Sequence, residues 1–295
     1  MAGMVFSPTR LPRIAVALSA LVGAAVFGSG ARAEVADRDV ARTVSLGGAC
    51  AGCSFSGRKL ADASFMGGNY ARASLVGADM RGARLMGSNF AGADFSRADL
   101  RGARVLGGNF NGASFVGAVL EGLEAQGSNF TGANLSRTRS TGATMVGSNL
   151  NGANLTGARF RQGEMTAANL GKVEAHGADF TEAELNMANL GGGRFAGAVF
   201  RKAELNNASL RQADFDNADF TGAELDGADL RGADLSGARG LTQEQLDDAC
   251  GDATTRLPRG LRTGDSCRTS RVVVIRTLGK PPAPPSAPAP PAPPR

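Results

Sequence analysis

Large apolar residues recur at every fifth position along most of this chain. Phe55, Leu60, Phe65, Tyr70, Leu75, Met80, Leu85, Phe90, Phe95 and Leu100 open the series, and Leu225, Leu230 and Leu235 close it. Two places before each stands Ala, Gly, Ser or another small residue almost throughout, Arg58 being an early exception. Asp, Asn, Arg, Ser and Thr fill many of the positions between. A period of five belongs neither to a helix nor to a strand. A chain that sends one large side chain inward per unit must turn towards its own axis once per unit. Such a turn is tight and asks for small residues and glycine near the corner. The small residue two places before also points inward and lets the large one fit. A five-residue unit cannot fold alone, so the units must stack into one continuous core.

The number of units per coil is written in the asparagines. Asn69, Asn89, Asn109, Asn129, Asn149, Asn169 and Asn189 precede a centre and lie twenty apart. Their neighbours repeat with them, as in "MGSNF", "QGSNF" and "VGSNL". Twenty residues are four units, so one coil has a square cross-section. No insertion shifts the frame between Cys53 and Ala238. Two aromatic stacks follow, Tyr70–Phe90–Phe110–Phe130 and Phe160–Phe180–Phe200–Phe220, on different faces in the two halves. Leu123 with Ala125 and Val173 with Ala175 exchange the large and small positions at roughly constant volume, which should cost little. Thr138 and Ser140 make both inward positions of one unit hydroxylic, and their hydroxyls are expected to bond to the corner backbone. The outer rows are expected to matter less: Asn109→Ala should cost under ~1 kcal/mol unless the asparagines ladder.

These residues resemble the pentapeptide-repeat family, whose pattern is A-(D/N)-L-x-x; "GADLRGADLSGA" at 227–238 matches it closely, and the resemblance covers about residues 50–240. It implies an all-β fold, a right-handed quadrilateral β-helix. With coils one strand spacing apart, about nine of them make a rod roughly 45 Å long.

Past the repeat, "GLTQEQLDDACG" carries a helix signal over Leu241–Cys250. Thr242 is the N-cap, Gln245 completes a capping box, Leu241 and Leu246 form a hydrophobic staple, and Gly251 is the stop. This short C-terminal capping helix is expected to lie over the last coil, whose open edge would otherwise invite association. It is similar to the helix-plus-cysteine ending of other members of the family. Members often pair end to end, and such a cap would block that end.

The ends of the chain read differently. Arg10 and Arg13, the apolar run Ile14–Phe27 and Ala31-Arg32-Ala33 predict a signal peptide over 1–33, cleaved before Glu34. A lead-in at 34–49 precedes the β-helix at 50–240, a helical cap with a disulfide takes 241–270, and a basic, Pro-rich tail fills 271–295. "PPAPPSAPAPPAPPR" cannot bury a core and is expected to be extended or disordered. The protein is therefore expected to be secreted, to a bacterial periplasm, with no transmembrane segment in the mature chain. The formal net charge of +5 includes Arg10, Arg13 and Arg32. Residues 51–160 net +5 and residues 161–240 net −5, so the excess basicity sits in the tail.

Four cysteines in an exported chain point to disulfides. Cys250–Cys267 would close a loop of about 17 residues, worth ~3 kcal/mol in the chain-entropy model. Cys50-Ala-Gly-Cys53 has redox spacing, but both residues fall on inward register positions and no βαβ pattern surrounds them, which favours a structural pair over an oxidoreductase. Roughly 45 Å would separate the two pairs. His176, the only histidine, falls on an outward corner with no nucleophile beside it. Glu164, Glu184, Glu204 and Glu224 fall in one outer row, the pattern of a solvated wall. Chemistry is generally mounted on loops that interrupt a scaffold, and this register has none. No catalytic residue, metal site or cofactor is expected. The function expected is that of a non-enzymatic structural or protein-interaction rod with flat solvated β-faces, its partner an unidentified protein or envelope component. The alternative that the resemblance implies is a DNA mimic that modulates a topoisomerase. That role requires a strongly acidic rod in the cytosol, and here neither charge nor targeting agrees, so no nucleic-acid partner is expected.

Overall fold

One residue of each unit pairs with the residue twenty places on. The computed structural model describes residues 49–264, and parallel bridges run from Ser54↔Ser74 to Asp219↔Arg239 without a break in register. Four walls result, named here by their first residues Ser54, Lys59, Ser64 and Asn69. Each strand is a single bridged residue, because the chain turns again within five. The centre of each unit and the small residue two places before it are buried, whereas the bridged residue between them faces out.

The main-chain hydrogen bonds explain the unit. In Tyr70–Ser74, Tyr70 N–H donates to Asn89 O at 2.7 Å and Arg72 N–H to Ala91 O at 2.9 Å. Ala73 N–H closes the corner on Tyr70 O at 3.0 Å, and Ser74 N–H reaches back to Cys53 O at 2.8 Å. That leaves the N–H of Ala71, the first corner residue, and Asn69 Oδ1 accepts it at 3.3 Å. The Asp or Asn of the motif is thus the acceptor for the one amide that the ladder leaves over. The second corner residue has positive φ, 66° at Gly82 and 57° at Arg72, the signature of a type II turn. Glycine takes this conformation freely, while side chains there, up to Met187 at 59°, accept strain on the order of 1 kcal/mol.

Inside, Tyr70, Phe90, Phe110 and Phe130 stack at centroid spacings of 5.1, 5.7 and 5.0 Å. Phe160, Phe180, Phe200 and Phe220 stack at 5.7, 5.1 and 5.1 Å. Phe95–Phe115 and Phe195–Phe215 add shorter stacks at 4.7 and 5.1 Å. At Gly108 a Cβ would lie 2.6 Å from the Phe110 ring and 2.9 Å from Val105 O, so the ring occupies the space of a side chain. The exchanged units are buried at both positions, Leu123 with Ala125 and Val173 with Ala175. Thr138 Oγ1 donates to Leu135 O at 2.9 Å and Ser140 Oγ to Thr138 Oγ1 at 3.2 Å, so both hydroxyls are satisfied.

The C-terminal end departs from expectation. Helix α1 is Gln243–Asp247, with Thr242 as N-cap and the capping box present. It is shorter than Leu241–Cys250 because Asp248 ends it and Cys250 returns to the ladder, pairing with Asp229. Bridges Asp234↔Arg256 and Cys250↔Gly264 carry the stack beyond 240. The helix does not lie over a finished coil; it replaces one side of a further coil. Leu246 is fully buried there, and Gln245 Nε2 donates to Phe220 O at 3.0 Å and Ala223 O at 2.6 Å. Gly251 is not a helix stop with positive φ. Its Cβ would lie 2.4 Å from Thr263 Oγ1, so it is small to let the returning segment pack.

Candidate interaction faces

The Asn69 wall is a bonded amide ladder. Asn89 Nδ2 donates to Asn69 Oδ1 at 2.9 Å, Asn109 to Asn89 at 3.0 Å and Asn129 to Asn109 at 3.3 Å. Asn169 donates to Asn149 at 3.1 Å and Asn189 to Asn169 at 3.0 Å. Each Oδ1 also accepts a corner amide, as at Asn111 (3.2 Å) and Gly191 (3.0 Å). The row is therefore structural as well as solvated, which raises the expected cost of Asn109→Ala.

The aspartates of the Lys59 wall are paired within the chain. Arg81 and Arg101 clasp Asp79 and Asp99 at 2.7 and 2.5 Å, and Arg201 holds Asp219 at 2.6 Å. The Arg81 and Arg101 hydrogen bonds hold the Asp79 and Asp99 carboxyls below the usual range, and Arg231 does the same for Asp229. At the C-terminal corner, the Thr254 hydroxyl and main-chain donors from Thr254 and Gly232 pull Asp252 down to about 2.

The Ser64 wall is different. Arg84 and Arg104 stand in one half, and Glu164, Glu184, Glu204 and Glu224 in the other. Arg104 pairs with Glu124 at 3.1 Å, while Glu204 and Glu224 accept from Asn186 (2.7 Å) and Asn206 (2.8 Å). One flanking corner carries all three large apolar residues that are exposed among those described: Met66 at 50%, Val146 at 37% and Met187 at 61%. Sequence reasoning passed over this ridge, although Met66, Met86, Leu106 and Val146 recur at twenty-residue multiples outside the inward register.

The structure brings Cys50 and Cys53 together as a disulfide over one corner of the first coil, with Cα atoms 5.5 Å apart, both half-buried against the core. Cys250 is disulfide-bonded as well; Cys267 lies outside the described residues, as do the expected signal peptide and the whole of the tail at 271–295. His176 is exposed, its Nε2 3.2 Å from Glu174 Oε2. Among the described residues, no group of three or more His, Cys, Asp and Glu side chains is placed to hold a metal ion, and no helix is long and apolar enough to cross a membrane. What the walls offer is regular, flat, charged or amide-rich surface for binding.

Comparison with known proteins agrees with this geometry. The chain matches Pentapeptide repeats in eight copies, over residues 71–102, 103–137, 126–162, 164–201, 178–217 and 198–237. The crystal structure of HetL, a pentapeptide repeat protein involved in heterocyst differentiation regulation in the cyanobacterium Nostoc sp. strain PCC 7120, is 28% identical. The match covers 73% of this chain and 96% of HetL with a TM-score of 0.60. QnrB1, a plasmid-mediated fluoroquinolone resistance protein, is 21% identical over 62% of this chain and 89% of its own, with a TM-score of 0.40. No curated protein matches the chain.

Proposed function

The chain belongs to the pentapeptide-repeat family, with its right-handed β-helix, and from that premise we propose that it is an exported, non-enzymatic rod that acts by protein contact through its walls. The observation that carries this reading is the ladder from Ser54 to Arg239, unbroken by any loop. Loops are where scaffolds usually carry chemistry, and the variable positions here are the outer rows and corners. HetL, similar over most of its length, is involved in regulation, a role that suits a contact surface. Export is supported by the N-terminal pattern and by the disulfide at Cys50 and Cys53, a bond that persists in oxidising compartments. The reading has about nine coils, α1 and residues 249–264 shielding the last edge, and the Pro-rich tail spacing the rod from the envelope. The partner is a protein or envelope component.

The test is twofold. N-terminal sequencing of exported protein should find Glu34; Met1 or Arg32 would overturn cleavage before Glu34. Mature protein should capture a periplasmic partner with and without residues 281–295, whereas a partner lost with the tail would move binding off the walls. Insulin reduction through Cys50 and Cys53, or topoisomerase inhibition by the mature chain, would replace the contact-rod reading with an oxidoreductase or a DNA mimic.

A further inference from the structure

We infer that the Ser64 wall is the surface on which a second copy of this chain packs, antiparallel, about a two-fold axis at the level of Thr144. The inference rests on the walls being contact surfaces and names the partner of one of them.

The bridges place this wall's residues in a single file with Thr144 at its middle. Arg84 and Glu204 lie three coils from Thr144 on opposite sides, and Arg104 and Glu184 lie two. A copy turned end for end about Thr144 therefore sets Arg84 against the other's Glu204 and Arg104 against its Glu184, each twice by symmetry. A parallel copy would set arginine on arginine and glutamate on glutamate along the whole file. Charge thus selects both the sense and the register of the pairing.

The isolated rod also has a reason to take a partner here. Glu164, Glu184, Glu204 and Glu224 stack directly on one another, about 4.8 Å apart, and adjacent like charges are destabilising. The Lys59 wall differs, because its aspartates are clasped by arginines of the same chain. Among the described residues, Arg84, Glu164 and Glu184 form no ion pair. The file from Ser64 to Glu224 is roughly 38 Å long, long enough for an extended contact.

The same rotation lays each flanking corner on its own counterpart. On one flank Arg101 comes level with Thr181, beside Glu182, and Glu121 with Arg161, although Arg101, Glu121 and Arg161 also pair with Asp99, Arg139 and Asp179 of their own chain. Arg81 meets Arg201, but each already holds an aspartate of its own chain. Glu124 meets Glu164 within the file, and Arg104 offsets that contact at 3.1 Å. On the other flank Val146 meets Val146 of the second copy at the axis, and Leu106 comes level with Asn186, beside Met187. Val146 and Met187 are 37% and 61% exposed in the single chain, so the apolar ridge finds cover in the same arrangement that pairs the charges.

Sedimentation of residues 34–295 tests this at about 20 mM and about 500 mM salt, on either side of the range where a ten-ångström screening length separates weak from strong screening. A dimer is expected at low salt, weakened at high salt. The double reversals R84E/R104E and E184R/E204R should each weaken association about tenfold or more, and an equimolar mixture of the two should restore it, because opposite signs then face each other at every one of these levels. Far-UV circular dichroism matching the unmodified protein accompanies each variant. Should a reversal lose the fold, Val146→Asp, on an exposed corner, must weaken association in its place. A monomer at low salt, a dimer indifferent to these substitutions, or a folded mixture that stays monomeric would overturn the pairing. Monomeric protein that still captures an envelope partner would end this inference and leave the contact-rod reading standing.

Discussion

Asn109→Ala removes three hydrogen bonds at once. The side chain donates to Asn89 Oδ1 at 3.0 Å, accepts from Asn129 Nδ2 at 3.3 Å and accepts the corner amide of Asn111 at 3.2 Å. A net contribution of about 0.5–1.5 kcal/mol applies to an ordinary hydrogen bond, and two of these are long and solvent-accessible, so the low end is appropriate. The expected loss is about 1–2 kcal/mol, above the cost of a typical surface change. Asn109→Asp separates the two roles. It keeps the carboxylate acceptor for Asn111 N–H, as Asp94 does for Ser96 at 2.9 Å, but cannot donate to Asn89 and sets two acceptors against each other. Hydrogen exchange at the amide of Asn111, read beside the guanidinium midpoint, distinguishes them. Ala should expose that amide and lower the midpoint, whereas Asp should keep the amide protected while still lowering the midpoint. An alanine variant within about 0.3 kcal/mol of the unmodified protein would refute the ladder argument. Equal exchange in both variants would refute the assignment of Asp and Asn as corner acceptors.

Other consequences follow from the same geometry. Phe180→Ala breaks stacks with Phe160 and Phe200 at 5.7 and 5.1 Å and should cost about 3–5 kcal/mol in denaturant unfolding; a loss under that of Asn109→Ala would refute the inward assignment. Gly251→Val brings a side chain onto Thr263, where a Cβ would already lie 2.4 Å from Oγ1, so exchange should rise over 249–264 while 81–130 stay protected. Asp252 is lowered to about 2 from an ordinary 3.8. A carboxyl depressed in the folded state stabilises above its unfolded value, and that contribution is lost as pH falls through about 2. The fall in melting temperature between pH 4 and pH 2 should therefore be smaller in Asp252→Asn than in the unmodified chain; an equal fall would refute the role of the Thr254 and Gly232 donors.

The fold was legible because it is dictated by positions that repeat. A large residue such as Phe90 must be buried in each unit, a small one such as Ala93 must leave room for it, and the twenty-residue spacing of the asparagines counts the sides of the coil. Register needs no knowledge of any distant contact, since each residue pairs with its own equivalent one coil on. The C-terminal end was legible only in part. Thr242, Gln245 and Leu246 announce a helix by local chemistry, and α1 obeys them. Its ending does not follow from local preference: Asp248 gives way to Cys250 because Asp229 and Ala228 below offer bonding partners to the returning chain. The role of the motif's Asp or Asn was also hidden, since only the bookkeeping of main-chain amides shows which N–H remains for a side chain to satisfy.

This division of labour bears on where recognition can reside. Of five positions per unit, the centre and the small residue are committed to the core, and the second corner residue is committed to positive φ. The bridged position is free only in part: where it is Asp or Asn it serves the corner, and where it is Arg or Glu the corner amide does without that acceptor. The Ser64 wall uses Arg84, Arg104, Glu164, Glu184, Glu204 and Glu224 at this position, none of which supplies the corner bond that Asn69 through Asn189 supply on the neighbouring wall; only the corner amides of Asn206 and Asp226 find a substitute, in Asn186 and Asn206 Oδ1 at 3.0 and 3.1 Å. Forgoing about 1 kcal/mol at each of the corners after Arg84, Arg104, Glu164 and Glu184, and stacking like charges as well, has no return in the isolated rod. It has a return if the row is read by something outside the chain. The wall that departs furthest from the motif is therefore the one whose charges are expected to meet a partner.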